Sequence, residues 1–374
     1  MLLNSDDYRR EARRLLPKFV FDYVDGAAED GRCLKRNRDD LDALTLTPRV
    51  LRDTTSVDTS VDVFGARWRV PFGVAPTGLN GLVRSGGDAM LAAAAARTGG
   101  AFALSTASNM RLEDVRAAAP EGVQWMQLYV MHREMAQRIV QRARRAGYQA
   151  LVLTVDVPVS GNRELDMRNG FKMPFKPTAR LAWDLMTHPR WALRAVMAGA
   201  PDFANITADG EAGSASMQAA LLARAMDRSM VWETLSWLRE HWPGPLLLKG
   251  LLHSEDARLA LAHGVDGLIV SNHGGRQFDG SPSAISALPG VVAAVAGRIP
   301  VFMDSGIRRG SHIAKAIALG ATAVFVGRPA LYGLATRGQA GAEAVLALLA
   351  EELVRTMTLL GAQRLADLRP GESA

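Results

Sequence analysis

Apolar and polar positions alternate along this chain in long blocks rather than residue by residue. Eight short apolar runs, rich in Val, Leu, Ile and Phe, recur between polar or glycine-containing segments: VPFGVAP (70–76), AFALS (101–105), VQWMQLY (123–129), ALVLTVD (150–156), PLLLKG (245–250), GLIVSN (267–272), IPVFMD (299–304) and TAVFVG (322–327). Between most of them the apolar residues fall at helical spacing, as in GGDAMLAAAAARTG, HREMAQRIVQRARRAG, SEDARLALAHG and GSHIAKAIALG. Several of these segments close on Gly, a common helix C-terminal signal. Continuous apolar strands alternating with amphipathic helices predict a parallel sheet covered by helices. Eight such units predict an α/β (β/α)8 TIM barrel. The competing open, doubly wound sheet usually carries G-x-G-x-x-G after its first strand, and no such motif follows Pro76.

Two stretches depart from the rhythm. Residues 1–69 predict an N-terminal helical cap followed by short strands. After the fourth strand, residues 157–243 form an insertion far longer than one crossover helix needs, with helices expected over 178–199, 215–226 and 232–242. The whole chain, 1–374, is expected to form a single barrel domain with 157–243 as a lid.

Composition narrows the function. Of 374 residues 48% are apolar and 22% charged, enough to fill a large core and too few charges for a disordered chain. The net charge of +6 forms no basic run with interleaved aromatics, so an anionic substrate, cofactor or membrane surface explains it better than nucleic acid. Cys33 is the one cysteine, which rules out an intrachain disulfide. The segment MLLNSDDYRREARR lacks the layout of a secretory signal, and no stretch holds 18 consecutive apolar residues. The seven histidines are scattered without ligand spacing, so no metal is expected.

The chemistry gathers at the strand ends, where barrels of this class carry their reactive groups. The first strand ends in Pro76-Thr77-Gly78, the second in Ser105, the third in Gln127 and Tyr129, the fourth in Thr154 and Asp156. The fifth ends in Lys249, the sixth in Ser271-Asn272-His273, the seventh in Asp304 and the eighth in Gly327-Arg328. A polar or small residue at all eight ends points to a polar ligand across the barrel mouth. Lys249 closes an apolar run and suits an electron-rich ring. His273, followed by two glycines and Arg276, suits a base beside a carboxylate site, with Asp304 expected to orient the imidazole. The run DSGIRRGSHIAKA (304–316) suggests an anion site made by Gly306, Arg308 and the N-terminus of the helix that follows, completed by Gly327 and Arg328.

These motifs resemble the FMN-dependent 2-hydroxy-acid dehydrogenase and oxidase family. The likeness runs from LPKFVFDYVDGAAED (16–30) through APTG (75–78), QLYV (127–130), LTVDVP (153–158), LLKG (247–250), SNHGGRQ (271–277) and DSGIRRG (304–310) to FVGRP (325–329), almost the whole chain. PTGLNG (76–81), LSTASNM (104–110), HPRW (188–191) and LYGLA (331–335) look like its membrane-associated mandelate-oxidising branch, a pattern that the lactate dehydrogenases partly share.

The resemblance implies FMN as cofactor and oxidation of an (S)-2-hydroxy acid. His273 would take the proton, with Asp304 against the imidazolium. Tyr23, Arg163 and Arg276 would hold the carboxylate, and Tyr129 would bond the substrate near its hydroxyl. Pro76, Thr77, Gly78, Ser105, Gln127, Thr154 and Ser271 would line the flavin. Lys249 would stabilise negative charge on the reduced ring, and Arg308, Gly327 and Arg328 would hold the phosphate. Gly78 and Ala107 would leave room for a large substituent such as phenyl. The basic, tryptophan-bearing stretch 176–201 corresponds to a membrane-binding segment, set against the alternative of an ordinary lid. The acceptor implied is a membrane quinone, with O₂ as the alternative and a non-catalytic FMN-binding barrel as the remote one. The location implied is the cytoplasmic side of the inner membrane, or else the soluble cytoplasm, and the assembly implied is a homotetramer.

Overall fold

The computed structural model describes residues 1–171, 178–199, 203–206 and 227–370. Three helices come first: α1 (Ser5–Leu15), α2 (Lys18–Asp25) and α3 (Arg32–Ala43). A hairpin follows, β1 (Val61–Val63) with β2 (Ala66–Trp68). Eight parallel strands then close into a barrel: β3 (Phe72–Val74), β4 (Ala101–Leu104), β5 (Val123–Leu128), β6 (Ala150–Thr154), β7 (Leu246–Leu251), β8 (Gly267–Val270), β9 (Val301–Met303) and β10 (Ala323–Val326), with β10 paired back onto β3. Seven lie within one of the eight apolar runs and β7 extends one residue past its run, to Leu251, so the closed barrel is the predicted one.

Side chains of successive strand residues point to opposite faces, so residues two apart share the barrel interior. The inward set includes Ala75, Ala103, Trp125, Val152, Leu247, Ile269, Phe302 and Phe325, all buried in one cluster. Its floor is aromatic: Trp125 lies 5.4 Å from Trp68, 5.4 Å from Phe302 and 5.3 Å from Phe325, ring centre to ring centre. The hairpin supplies Trp68, and Phe64 at its turn, so the N-terminal end of the barrel is plugged. Filling one end with rings leaves the other for the ligand.

The same step of two carries the inward row upward to Thr77, Ser105, Gln127, Thr154, Lys249, Ser271, Asp304 and Gly327. That is why a polar or small residue stands at every strand end: the rows that fill the floor with rings end at the mouth.

The insertion is partly described. The helix expected over 178–199 is two helices, Ala179–Thr187 and Pro189–Ala198, because proline cannot continue the first beyond His188. The Asp184 carboxylate accepts from the backbone of Lys18 and Phe19, at 3.0 and 3.4 Å, and so caps α2, which has no cap of its own. Trp191 donates to the Leu82 carbonyl at 2.8 Å and meets Phe19 edge-on at 5.7 Å. The predicted helix over 232–242 is present as Thr234–His241, whereas 215–226 lies outside the described residues.

Candidate active site

Polar side chains of the mouth, the cap and the insertion enclose a pocket of about 1360 Å³ including the solvent at its opening. Its walls include Tyr23, Pro76, Thr77, Gly78, Ser105, Ala107, Tyr129, Arg163, Lys249, His273, Arg276, Asp304, Gly306, Arg308, Gly327 and Arg328. The structure therefore brings together sixteen of the nineteen positions singled out from sequence. Gln127, Thr154 and Ser271 stand behind the wall. Gln127 accepts from Ser105 Oγ and the Thr106 amide, at 3.2 and 3.1 Å, and donates to Thr154 Oγ1 at 3.1 Å. Ser271 Oγ accepts from Lys249 Nζ at 2.8 Å and from the His273 amide at 3.0 Å.

The two carboxylates of the mouth have separate partners. His273 Nδ1 is 3.0 Å from Asp156 Oδ1, while Asp304 Oδ2 is 3.0 Å from Lys249 Nζ. The expectation that Asp304 orients the imidazole is corrected: Asp156 does so. In a barrel, neighbouring strands are staggered along the axis, and each inward layer is built from alternate strands. Asp156 follows β6 and His273 follows β8; Lys249 is on β7 and Asp304 follows β9. Partners thus sit two strands apart. Asp156 continues the inward row from Thr154, and that parity was the signal available in the sequence.

An ionised Asp156 accepts the proton of Nδ1, which leaves the lone pair on Nε2. Nε2 stands 3.5 Å from the Tyr129 hydroxyl. Burial pushes the His273 pKa down, and Asp156 opposes this without cancelling it, so the ring is neutral near pH 7 and fit to accept a proton. Burial also works against the charge of Asp156, but His273 and Lys249 outweigh it and its pKa falls. Lys249 is held up in the same way, with Asp304 and then Asp156 overcoming the cost of burial.

The cap shapes the other side. Arg276 donates to the carbonyls of Tyr23 and Gly26, at 2.6 and 3.1 Å, and lies 5.0 Å from the centre of the Tyr23 ring. Arg328 donates to Val24, Gly26 and Gly274 carbonyls. The C-terminus of α2, where carbonyls lack helical partners, thus holds two guanidinium groups at the pocket. The loop bearing His273 is fastened to the cap as well, through Ala28 N to Gly275 O at 2.9 Å and through the amide pair Asn37–Asn272. Burial pushes the Arg276 pKa down to about 9, and neighbouring Arg163 adds to this. Neither arginine has a carboxylate within ion-pair distance among the described residues. Two adjacent cations without a carboxylate partner among the described residues call for an anionic ligand.

The second anion cradle differs from its expected form. The helix after DSGIRRG is Gly310–Ala318, and its first amide, Gly310 N, is bonded to Glu352 at 2.8 Å. It faces the helix Gln339–Leu360 rather than the pocket. The helix that opens onto the pocket is Arg328–Arg337, which starts at Gly327 with no side-chain cap. Buried Arg308 stands beside it with its Nε unpartnered and its pKa lowered by burial to about 10. An uncapped helix start at Gly327 and an orphaned guanidinium N–H suit a phosphate.

A family profile described as FMN-dependent dehydrogenase matches residues 12–373. The chain belongs to the FMN-dependent dehydrogenases. Among relatives in this family, an (S)-mandelate dehydrogenase of Pseudomonas putida is 47% identical over 369 residues, covering 99% of this chain and 93% of that protein. An L-lactate dehydrogenase of Vibrio parahaemolyticus is 42% identical, covering 97% of this chain and 96% of that one. The crystal structure of a monotopic membrane (S)-mandelate dehydrogenase superposes with a TM-score of 0.95 at 46% identity, covering 98% of each chain. FMN is accordingly the cofactor of this enzyme. The orphaned Arg308 Nε and the uncapped helix at Arg328 fit its phosphate, and the buried Lys249 ammonium fits the negative charge of its reduced ring.

Sequence reasoning passed over Asp156 as a partner and left Met131, Val157, Phe203 and Ile206 unassigned, although all four line the pocket. Phe203 and Ile206 come from the insertion, whose path no periodicity reveals. They are held by Asn205, which accepts from the Leu112 amide at 2.9 Å and donates to the Met110 carbonyl at 3.0 Å.

Proposed function

We propose that this enzyme oxidises an (S)-2-hydroxy acid with a large apolar 2-substituent, (S)-mandelate to benzoylformate being the best match, and passes the electrons to a membrane quinone. The observation that carries the reading is the Nε2 face of His273, which stands 3.5 Å from the Tyr129 hydroxyl. It looks into a pocket with two unmatched guanidinium groups on one side and Ala107, Met131, Val157, Phe203 and Ile206 on another. The named relative oxidising mandelate supports the same substrate.

In this reading Arg276 and Arg163 grip the carboxylate, with Tyr23 beside them. Tyr129 bonds the hydroxyl, and His273 Nε2 takes the proton while Asp156 steadies the imidazolium that forms. Bound FMN supplies the two-electron acceptor. Lys249 provides the positive charge that favours the reduced ring, and Asp304 keeps that ammonium in place. Arg308, Gly327 and Arg328 hold the phosphate, and Thr77, Gly78 and Ser105 border the ring.

The insertion is the membrane-facing element of the proposal. Asp184 and Trp191 fix its inner side to the cap, and its outer side exposes Trp183, Met186, Leu193, Val196 and Met197 beside Arg190 and Arg194. An apolar face with tryptophan and arginine suits the headgroup boundary of a bilayer on the cytoplasmic side of the inner membrane. No helix among the described residues is long and apolar enough to cross a membrane. A homotetramer is the proposed assembly. Lys176, at the start of the predicted membrane segment, lies outside the described residues.

The test is anaerobic mixing of the holoenzyme with (S)-mandelate or (S)-lactate while flavin absorbance is followed. Rapid bleaching by mandelate with slow bleaching by lactate supports the proposal. The opposite order moves the substrate to lactate and keeps the chemistry. Bleaching by neither overturns it. The lactate reading has support of its own in the 42% identity to an L-lactate dehydrogenase.

A further inference from the structure

Asp88 is a carboxylate with no solvent exposure, and nothing in the proposed chemistry uses it. It lies in the first turn of the helix Gly87–Thr98. Its Oδ1 accepts from Asn80 Nδ2 and its Oδ2 from Ser108 Oγ, both at 2.7 Å, and the Asn109 backbone donates to it as well. Asn80 belongs to the loop after β3 and Ser108 to the loop after β4. Each is tied in turn to a wall of the pocket. Asn80 Oδ1 accepts from Thr77 Oγ1 at 2.9 Å, and Asn80 Nδ2 reaches the Thr77 carbonyl at 3.1 Å. Ser108 N bonds the Ser105 carbonyl at 3.0 Å.

The two loops touch directly above this point. Leu79 N donates to the Ala107 carbonyl at 3.0 Å, and Gly81 N to Asn109 Oδ1 at 2.9 Å. A methyl group at Gly78 would stand 3.0 Å from the Ala107 side chain. The spacing of these loops therefore sets how much room remains between Gly78 and Ala107, on the side of the pocket assigned above to the 2-substituent. We propose that Asp88 is a positioning residue that fixes this spacing and so sets affinity for the bulky end of the substrate. Assignment of that end rests on the proposed function; the placement of the loops does not.

The alternative is a carboxylate that merely stabilises the fold. Burial opposes its ionisation more than its hydrogen bonds favour it, which pushes its pKa up to about 6. Tyr148 is the ionisable group that feels its charge, and no cation is among the influences on it. Above pH 6 the charged form holds both loops with acceptor oxygens; below, the acid must itself donate to one of them.

The experiment compares Asp88→Asn with the parent holoenzyme from pH 5 to 8. It reads kcat and KM for (S)-mandelate, and the Kd of a non-reducing 2-oxo acid from the perturbation of the flavin spectrum. At pH 8 the variant is expected to raise KM and Kd about tenfold, with kcat within about threefold. The ratio of variant to parent should shrink toward one near pH 5, where the parent carboxyl is protonated too. Unchanged KM and Kd at pH 8, or a ratio that is constant with pH, overturns the proposal. If Asp88→Asn does not fold, Ser108→Ala keeps the carboxylate and removes one donor. A Kd at pH 8 equal to the parent's in that variant overturns it equally. A parent enzyme bleached by no hydroxy acid would sink the proposed function instead, leaving the spectral Kd to decide on Asp88.

Discussion

Asp156 holds His273 through Nδ1, and the pair spans the barrel mouth from the end of β6 to the loop after β8. Asp156 Oδ2 is buried with no hydrogen-bond partner, so the carboxylate is committed to the imidazole and to the nearby Lys249 charge. Replacing it by Asn keeps the shape and removes the charge that stabilises an imidazolium. Asp156→Asn is expected to lower kcat by about 10²–10³-fold with FMN still bound. Asp304→Asn should act chiefly through Lys249. Steady-state rates and the flavin spectrum of both variants check this, and equal kcat losses with equal flavin loss would refute the division of roles.

The pH dependence follows from the direction of the His273 shift. Its pKa in the free enzyme lies below the ordinary imidazole value of about 6.5. The basic form therefore persists into mild acid, and kcat/KM falls only as the pH drops through that lowered value. Removing the Asp156 charge takes away the influence that raises the pKa, so the acid limb in Asp156→Asn moves to still lower pH. Initial rates between pH 5 and 8.5 with an excess of artificial acceptor give both limbs. A limb centred above pH 7 in the parent enzyme contradicts the assignment.

Lys249 and Asp304 are 3% and 6% exposed, so each is costly to leave alone. Lys249→Met strands a buried carboxylate and is expected to cost about 3–5 kcal/mol of stability. Lys249→Met combined with Asp304→Asn should recover much of that loss without restoring turnover. Urea unfolding of the two variants measures the difference. A double variant no more stable than the single would show that the pair does not hold itself together.

Arg308 should govern retention of the cofactor. Arg308→Ala removes a charged donor from the cradle and is expected to weaken FMN binding by roughly 10–100-fold, the scale of one charge-assisted hydrogen bond. Release of fluorescent flavin on dilution reports it. Retention equal to that of the parent enzyme would place the phosphate elsewhere.

The outer face of the insertion offers a separable test. Changing Trp183, Met186, Leu193, Val196 and Met197 to Ser or Gln leaves Asp184 and Trp191 in place, so the helices Ala179–Thr187 and Pro189–Ala198 should stay docked. The variant is expected to leave sedimented anionic vesicles while keeping its turnover with a soluble acceptor. Continued sedimentation would move the membrane contact to another surface.

Much of this was legible in the sequence because barrel strands are short apolar runs that end abruptly. A step of two from Trp125 or Ile269 leads to Gln127 or Ser271 at the mouth. What the one-dimensional pattern leaves out is the stagger between strands. Asp304 is the nearer carboxylate to His273 in strand order, yet the layering of alternate strands hands His273 to Asp156. The helix start expected at Gly310 fails for a similar reason: Glu352, from a helix at the far end of the chain, occupies its first amide. Phe203 and Ile206 were beyond reach because their place depends on where an aperiodic insertion returns to the barrel.

The carbonyl of Gly26 receives both Arg276 and Arg328, residues 250 and 302 positions further along the chain. During synthesis the segment around Gly26 leaves the ribosome long before either arginine exists. The carboxylate grip must wait for Arg276 and the phosphate cradle for Arg328. Firm retention of flavin by this protein therefore reports that synthesis has passed Arg328: until then the early strands, however far they have paired, lack the guanidinium that closes the phosphate cradle.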